Sequence, residues 1–297
     1  MLPPDPATCL QYLERPPGPR LQRYVNCYWA LRSPQPLQLR DRTFPDGCQE
    51  IIFNLGAAVL RSDDGHSYSR NPAAELVGQM TRPYDVRADG EQLYFGVKFH
   101  PQGFAVFTRE PVDGLCDQSI DLHLLFGAAF QELHDRIAGS RRFVDFVLAM
   151  EAWLGRRLCE RRADSTAYRA VEAVVRSLFS RPDGSGLDAA CAQLGIGRRR
   201  LQGAFRELTG LSPRQLRGMV RFQSCLPGLQ AGRPHAELAL ACGYYDQAHF
   251  NREFRHYAGM SPGAWKRAGA PLNRYFLDGA SRAYLCNYAA GGAARIP

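Results

Sequence analysis

The sequence predicts an α+β fold: a β-barrel or sandwich-like domain with flanking helices, followed by an all-α domain built from two crossed helix pairs. Three observations predict it. From Leu21 to Phe107 the apolar runs are short and separated by turn residues. From Leu115 to Leu158 the apolar period lengthens to that of helices. Beyond Thr166 two helix pairs follow, each closed by the same Gly-x-Ser-Pro tetrapeptide.

A chain of 297 residues is long enough for two domains with separate cores, and 45% hydrophobic with 22% charged residues fits globular folding. No apolar run approaches the roughly 18 residues of a membrane span. The opening MLPPDPATCL lacks a basic region followed by an apolar core, so no secretory signal is expected. Nine cysteines, an odd number without any C-x-x-C pair, favour reduced thiols over a disulfide framework or a zinc site. The net charge of +8 is uneven. Lys and Arg against Asp and Glu number 19 to 21 over residues 1–165, but 15 to 7 over 166–268 and 3 to 1 beyond. A basic C-terminal part suits attraction to a polyphosphate.

In chain order, the Pro-rich residues 1–20 are expected to be disordered or loosely attached, and 21–160 to form the first domain. Val25–Leu31, Cys48–Leu55 and Gln92–Phe99 read as strands, with turns at Pro45-Asp46-Gly47, Asp63-Asp64-Gly65 and Ala88-Asp89-Gly90. A barrel can hold a small ligand. Asp46, Glu50 and His100 would have to converge to hold a metal or act as acid and base. The plainer assignment gives Asp46 to its turn, Glu50 to solvent and His100 to a strand end. There is no Gly-rich phosphate loop, no H-E-x-x-H and no G-x-S-x-G, so no catalytic residue, cofactor or metal is expected.

Leu115–Ala138 and Arg141–Leu158 read as helices. In the second, Phe143, Phe146, Val147, Met150, Trp153, Leu154 and Leu158 share one face, fitted either to cover the barrel or to form a dimer interface. The polar run near residues 161–166 reads as a linker to a second domain at 167–268, with a tail at 269–297 that is expected to be mostly disordered.

A helix from Thr166 to Phe179 opens the second domain and ends at Pro182-Asp183-Gly184-Ser185-Gly186. The first pair runs Leu187–Leu194, a turn at Gly195-Ile196, then Arg198–Leu208. The second runs Ala236–Cys242, a break at Gly243, then a helix capped by Asp246. Leu201 and Phe205, like Phe250 and Phe254, stand four apart and face a core. Gly210-Leu211-Ser212-Pro213 parallels Gly259-Met260-Ser261-Pro262. One polar-faced pair would be an ordinary amphipathic hairpin; the repeat argues against that. The connector from Pro213 to about Gln230 would span about 27 Å, the scale of the roughly 34 Å between successive major-groove faces. Pro227-Gly228 inside it predicts a kink or an early end.

The stretch GYYDQAHFNREFRHYAGMSP resembles the signature of the AraC/XylS family of bacterial transcription regulators. The matching features are Gly243-Tyr244, the polar Asp246 to Ala248, Phe250, Arg252-Glu253-Phe254 and Gly259-Met260-Ser261-Pro262. The resemblance covers about Ala167 to Arg267. It implies a cytoplasmic, non-enzymatic, sequence-specific DNA-binding transcription factor with two helix-turn-helix motifs reading adjacent major grooves. Carried over, its base-contacting positions are Arg199, Gln202 and Gly203, then Ala248, His249 and Arg252, with Gln247 and Asn251 adjacent. Arg199 suits guanine and Gln202 adenine, whereas Arg198 and Arg200 suit phosphates. Gly203 departs from the family, where a long basic side chain is common. Phe44 to Gly56 and Phe95 to Pro111 resemble a poorly characterised N-terminal domain of some AraC-type regulators, which implies a sensory or dimerisation role. The partners implied are double-stranded DNA, RNA polymerase, an unidentified small-molecule effector and a second copy in a homodimer; no membrane partner is expected. Two competing classes are a DNA-binding module fused to an enzyme such as a DNA-repair alkyl transferase, with Cys48 as nucleophile, and a repeat that binds a partner protein.

Overall fold

The computed structural model describes residues 10–33, 35–140, 142–180, 192 and 195–268. Val25–Arg32 (β2) is buried at seven consecutive positions, which requires a strand covered on both faces. It lies inside a six-stranded antiparallel sheet of order β1-β2-β9-β4-β7-β10. The other members are Gln11–Arg15 (β1), Glu50–Asn54 (β4), Ala74–Val77 (β7), Leu93–Phe99 (β9) and Ser119–Asp121 (β10). A four-stranded sheet, order β3-β8-β5-β6, is made by Leu37–Thr43 (β3), Val59–Ser62 (β5), Ser69–Arg70 (β6) and Tyr84–Gly90 (β8).

The sheets face each other. Trp29, Leu31 and Tyr94 of the first meet Leu39, Val59 and Val86 of the second in one apolar cluster. The Trp29 ring lies so close over Gly96 that a Cβ there would come within 2.1 Å of it, so this strand position admits only glycine. The opposite face of the larger sheet receives Phe143–Arg157 (α3). Phe146 of that helix stacks on Phe95 at 5.0 Å and meets Phe53 edge-on at 5.9 Å. The helix thus covers the sheet.

Several expectations need correction. Residues 1–20 are not loose throughout: β1 pairs with β2 over five residue pairs, because Tyr12 and Glu14 turn inward on alternate positions. The helix expected over Leu115–Ala138 is broken into Val112–Leu115 (a 3-10 turn), β10, Leu122–Phe126 (α1), Gly127–Phe130 (3-10) and Gln131–Ala138 (α2). Ser119–Asp121 adds to the open edge of β7, and Gly127 adopts φ of 59°, which stops α1. Ala88 and Asp89 belong to β8, so that turn starts later. The linker contains a short helix, Glu160–Ala163 (α4), tied down where Cys159 N–H donates to Val106 O at 2.9 Å and Arg162 to Thr108 O at 3.1 Å.

The second domain holds Thr166–Ser180 (α5), Arg198–Thr209 (α6), Pro213–Gln230 (α7), His235–Ala241 (α8), Gln247–Ala258 (α9) and Pro262–Ala268 (α10). The Pro182–Gly186 stop, most of the Leu187–Leu194 helix and the tail at 269–297 lie outside the described residues. Helix α7 runs unbroken past Pro227 to Gln230, so the early end does not occur. Pro227 sits in the last turn, where its missing N–H removes a single ladder bond, and buried Leu226 and Leu229 hold that turn on the core. No sharp border separates the domains: one apolar cluster extends from the larger sheet through α3 and α5 to α7 and α9.

Candidate nucleic-acid interface

The repeated Gly-x-Ser-Pro has the same local cause at both sites. Helix α6 ends on Gly210 with φ of 77°, whose N–H donates to Arg206 O at 2.7 Å. Helix α9 ends on Gly259 with φ of 70°, whose N–H donates to Arg255 O at 2.9 Å. Both glycines take the left-handed conformation that ends a helix without strain. The serine then caps the following helix. Ser212 accepts from Gln215 N–H at 3.3 Å and Gln215 reaches back to Ser212 N–H at 2.9 Å, a reciprocal capping box. Ser261 accepts from Ala264 N–H at 3.3 Å. Pro213 and Pro262 occupy first helical positions, where no N–H is needed.

With Leu201, Phe205, Phe250 and Phe254 buried, the opposite helix faces are presented outward. Arg198, Arg199, Arg200, Gln202 and Gly203 are exposed on α6, and Gln247, Ala248 and Arg252 on α9. Nothing stands within 4 Å of a Cβ built at Gly203. His249 and Asn251 are half-buried, so the outward placement expected of them holds only in part. His249 is drawn along the helix to Glu253 at 3.4 Å and meets the Tyr244 ring edge-on at 5.4 Å. Asp246 caps α9 by accepting His249 N–H at 2.7 Å.

Helix α7 grips the second motif through Arg221, which the sequence reading passed over. Its guanidinium bonds both Glu253 oxygens at 3.0 and 2.8 Å, donates to Gly243 O at 3.2 Å and stacks 4.8 Å over the Tyr244 ring. One side chain thus fixes both the turn and α9, with the geometry that favours arginine over lysine. The available signal was an arginine between Val220 and Phe222 on a buried helix face, where a charge requires partners. Phe222 meets Phe254 at 5.1 Å, and Gly218 leaves room for the Tyr257 hydroxyl, which a Cβ would approach to 2.3 Å.

In the first domain, Asp46 keeps its turn role, accepting Cys48 N–H at 2.8 Å, and also pairs with Lys98 at 2.7 Å. Glu50 does not face water: it points inward to Lys98 at 2.9 Å, because an inward lysine needs countercharge. Burial raises the Glu50 carboxyl above the usual range while Lys98 opposes that shift. His100 follows β9 as expected but joins neither carboxylate; its Nε2 lies 3.2 Å from Gln22 O. Among the described residues no group of three or more His, Cys, Asp or Glu side chains could hold a metal, and no helix is long and apolar enough to cross a membrane. A cleft of about 260 Å³ between the smaller sheet and the end of α9 is lined by Arg42, Arg82, Asp63, Asp85 and His256 among others.

Residues 190–268 match a family model described as a helix-turn-helix domain, and residues 13–121 match one described as a domain of unknown function, DUF6597. No curated protein sequence matches the chain. Among solved structures, the chain is similar to ToxT from Vibrio cholerae, at 10% identity and a TM-score of 0.44, covering 78% of this chain and 98% of that one. It is also similar to ToxT from strain O395 bound to (E)-4-(8-methylnaphthalen-1-yl)but-3-enoic acid, at 10% identity and a TM-score of 0.41, covering 78% and 98%. Wild-type ToxT with bound unsaturated fatty acid, from strain SCE256, gives 12% identity and a TM-score of 0.38, covering 79% and 96%.

Proposed function

The C-terminal part of this chain is an AraC-type helix-turn-helix domain, and from that premise we propose that the protein is a cytoplasmic transcription regulator whose α6 and α9 read two adjacent major grooves. In this reading Arg199 and Gln202 contact bases from the first motif, with Gly203 beside them. Ala248, His249 and Arg252 do so from the second, flanked by Gln247 and Asn251. Arg198 and Arg200 neutralise phosphates. The observation that carries the reading is the duplicated cap: two exposed-faced helices end in the same Gly-x-Ser-Pro and are joined by one unbroken helix of 18 residues.

Arg199→Ala or Arg252→Ala is expected to weaken binding to the cognate duplex by about 1–3 kcal/mol, and binding to random duplex far less. Gel shift at fixed salt reads both. Equal losses on the two duplexes would remove these side chains as base readers.

Effector control through the first domain is supported by the loop at 44–48. On its outer side Phe44 meets Phe222 at 6.0 Å, Pro45 O accepts from Gln223 at 2.7 Å, and a Cβ at Gly47 would come within 2.6 Å of Leu216. On its inner side Asp46 holds Lys98 at 2.7 Å, and Gly47 O accepts from Gln79 at 2.8 Å. A molecule that altered the charge balance around Lys98 would therefore act on α7 through one loop. It would change DNA binding only by preferring one of two states. A calorimetric ligand screen that stays empty, with DNA binding constitutive, removes this part of the reading. The enzymatic alternative draws little support: Cys48 is buried and the adjacent Asp46 is committed to Lys98.

A further inference from the structure

The free edges of the two sheets are not alike. Among the described residues they are β1 and β10 of the larger sheet and β3 and β6 of the smaller. Strands β10 and β6 have three and two residues, too few to recruit another strand. Along β3, Gln38 and Arg40 stand exposed and Arg42 is held by Asp85 at 2.6 Å, so charge protects that edge. β1 lacks such protection. It runs five residues in unbroken register with β2, without lysine, proline or bulge, and carries the exposed Leu13 at its centre. Its one cation, Arg15, stands at the end, and its inward charge, Glu14, accepts the Tyr12 hydroxyl at 2.8 Å.

Tyr12 packs into the cluster between the sheets, so its neighbour Leu13 lies on the other face, the one that α3 covers. On that face α3 turns one flank toward β1. Glu151 accepts the N–H of Gly18, just beyond β1, at 2.8 Å, and a Cβ at Gly155 would stand 3.8 Å from Arg20. Leu148, one turn before Glu151, belongs to the same flank. Leu13 is 56% exposed and Leu148 58%. Two of the six large apolar side chains exposed among the described residues thus border one open edge.

We propose that β1 is a homodimer surface: the β1 strands of two copies pair antiparallel about a two-fold axis through Leu13, joining two six-stranded sheets into one. The strand QYLER suits its own reverse. The two-fold sets Leu13 against the partner's Leu13, Gln11 against the partner's Arg15 and Tyr12 against the partner's Glu14, so no like charges oppose. On the helix side the two Leu13 side chains meet with a Leu148 on either flank, which takes four exposed leucines out of water. A second copy supplies this complement without any further requirement. The surface does not depend on the DNA-binding reading.

Sedimentation equilibrium of the full chain is expected to show a reversible dimer. Leu13→Asp sets two carboxylates on the axis and should weaken self-association about tenfold or more. Leu148→Asp should weaken it as well, whereas Leu60→Asp, on the smaller sheet, should leave it unchanged. Leu13→Cys is the milder variant should Leu13→Asp fail to fold. Its mild oxidation should give a dimer in which peptide mapping by mass spectrometry joins position 13 to position 13, since directly opposed residues stand about 4.5–5.5 Å apart between Cα atoms. A monomer at every concentration overturns the proposal, whether a different protein or nothing fills the edge. So does a dimer without that link, or one that Leu13→Asp leaves as strong or Leu60→Asp weakens equally. The introduced thiol joined to Cys9 of its own chain would show that the first residues occupy the edge, and overturns the proposal too.

Discussion

His100 illustrates how a single buried side chain ties this fold to pH. Burial, with a smaller contribution from Arg176, lowers its imidazole from 6.5 to about 4, although the contact to Gln22 O opposes the shift. Above pH 6.5 the ring is neutral whether the chain is folded or not, and contributes no pH dependence. As pH falls from 6.5 toward 4, the unfolded chain takes up a proton that the folded one resists. Stability is therefore lost over that window, by about 3 kcal/mol from this group. His100→Gln keeps a donor for Gln22 and cannot titrate. Urea denaturation at pH 7 and pH 4.5 should show a smaller fall for the variant; identical falls would show that His100 is not the titrating group. At this scale the apolar pattern was the legible part: Leu201, Phe205, Phe250 and Phe254 stand in the core as their spacing implied. Glu50 and Arg221 were not legible, because the partners that let a charge go inside, Lys98 and Glu253, come from other elements.

Among the elements, α6 carries a reserve of stability at Gly203. The residue lies in mid-helix, and an added Cβ would meet open space. Gly203→Ala should stabilise the protein by about 0.5–1 kcal/mol through lower backbone entropy in the unfolded chain, read as a higher urea midpoint at an unchanged slope. No gain would mean that the helix is distorted there. Helix ends were readable where short-range chemistry decides them, as with Asp246, Gly210 and Gly259. Elements whose course depends on a distant strand were not. Ser119–Asp121 has no strand pattern of its own and pairs because β7 offers an open edge. Likewise, the propensity of Pro227 to end α7 is outweighed by burial of the turn around it.

At the scale of the whole molecule, the first domain is built into the second. Arg23 binds Glu172 of α5 at 2.9 Å, Cys116 donates to Gly210 O at 3.1 Å, and Phe44 reaches Phe222 of α7. The two-motif organisation was legible because it repeats within the chain; this junction was not, since each contact joins positions far apart in sequence. The junction bears on the start and middle of α7, the helix that lies between α6 and α9 in the chain. The central claim is that the interval between α6 and α9 matches neighbouring grooves of one duplex. Base-level footprinting of the full chain on its selected site tests it most directly. The account predicts two protected major-groove blocks on one face, about 10 base pairs apart, with binding abolished when about 5 base pairs are inserted between them. A single block, or binding indifferent to the insertion, would contradict it.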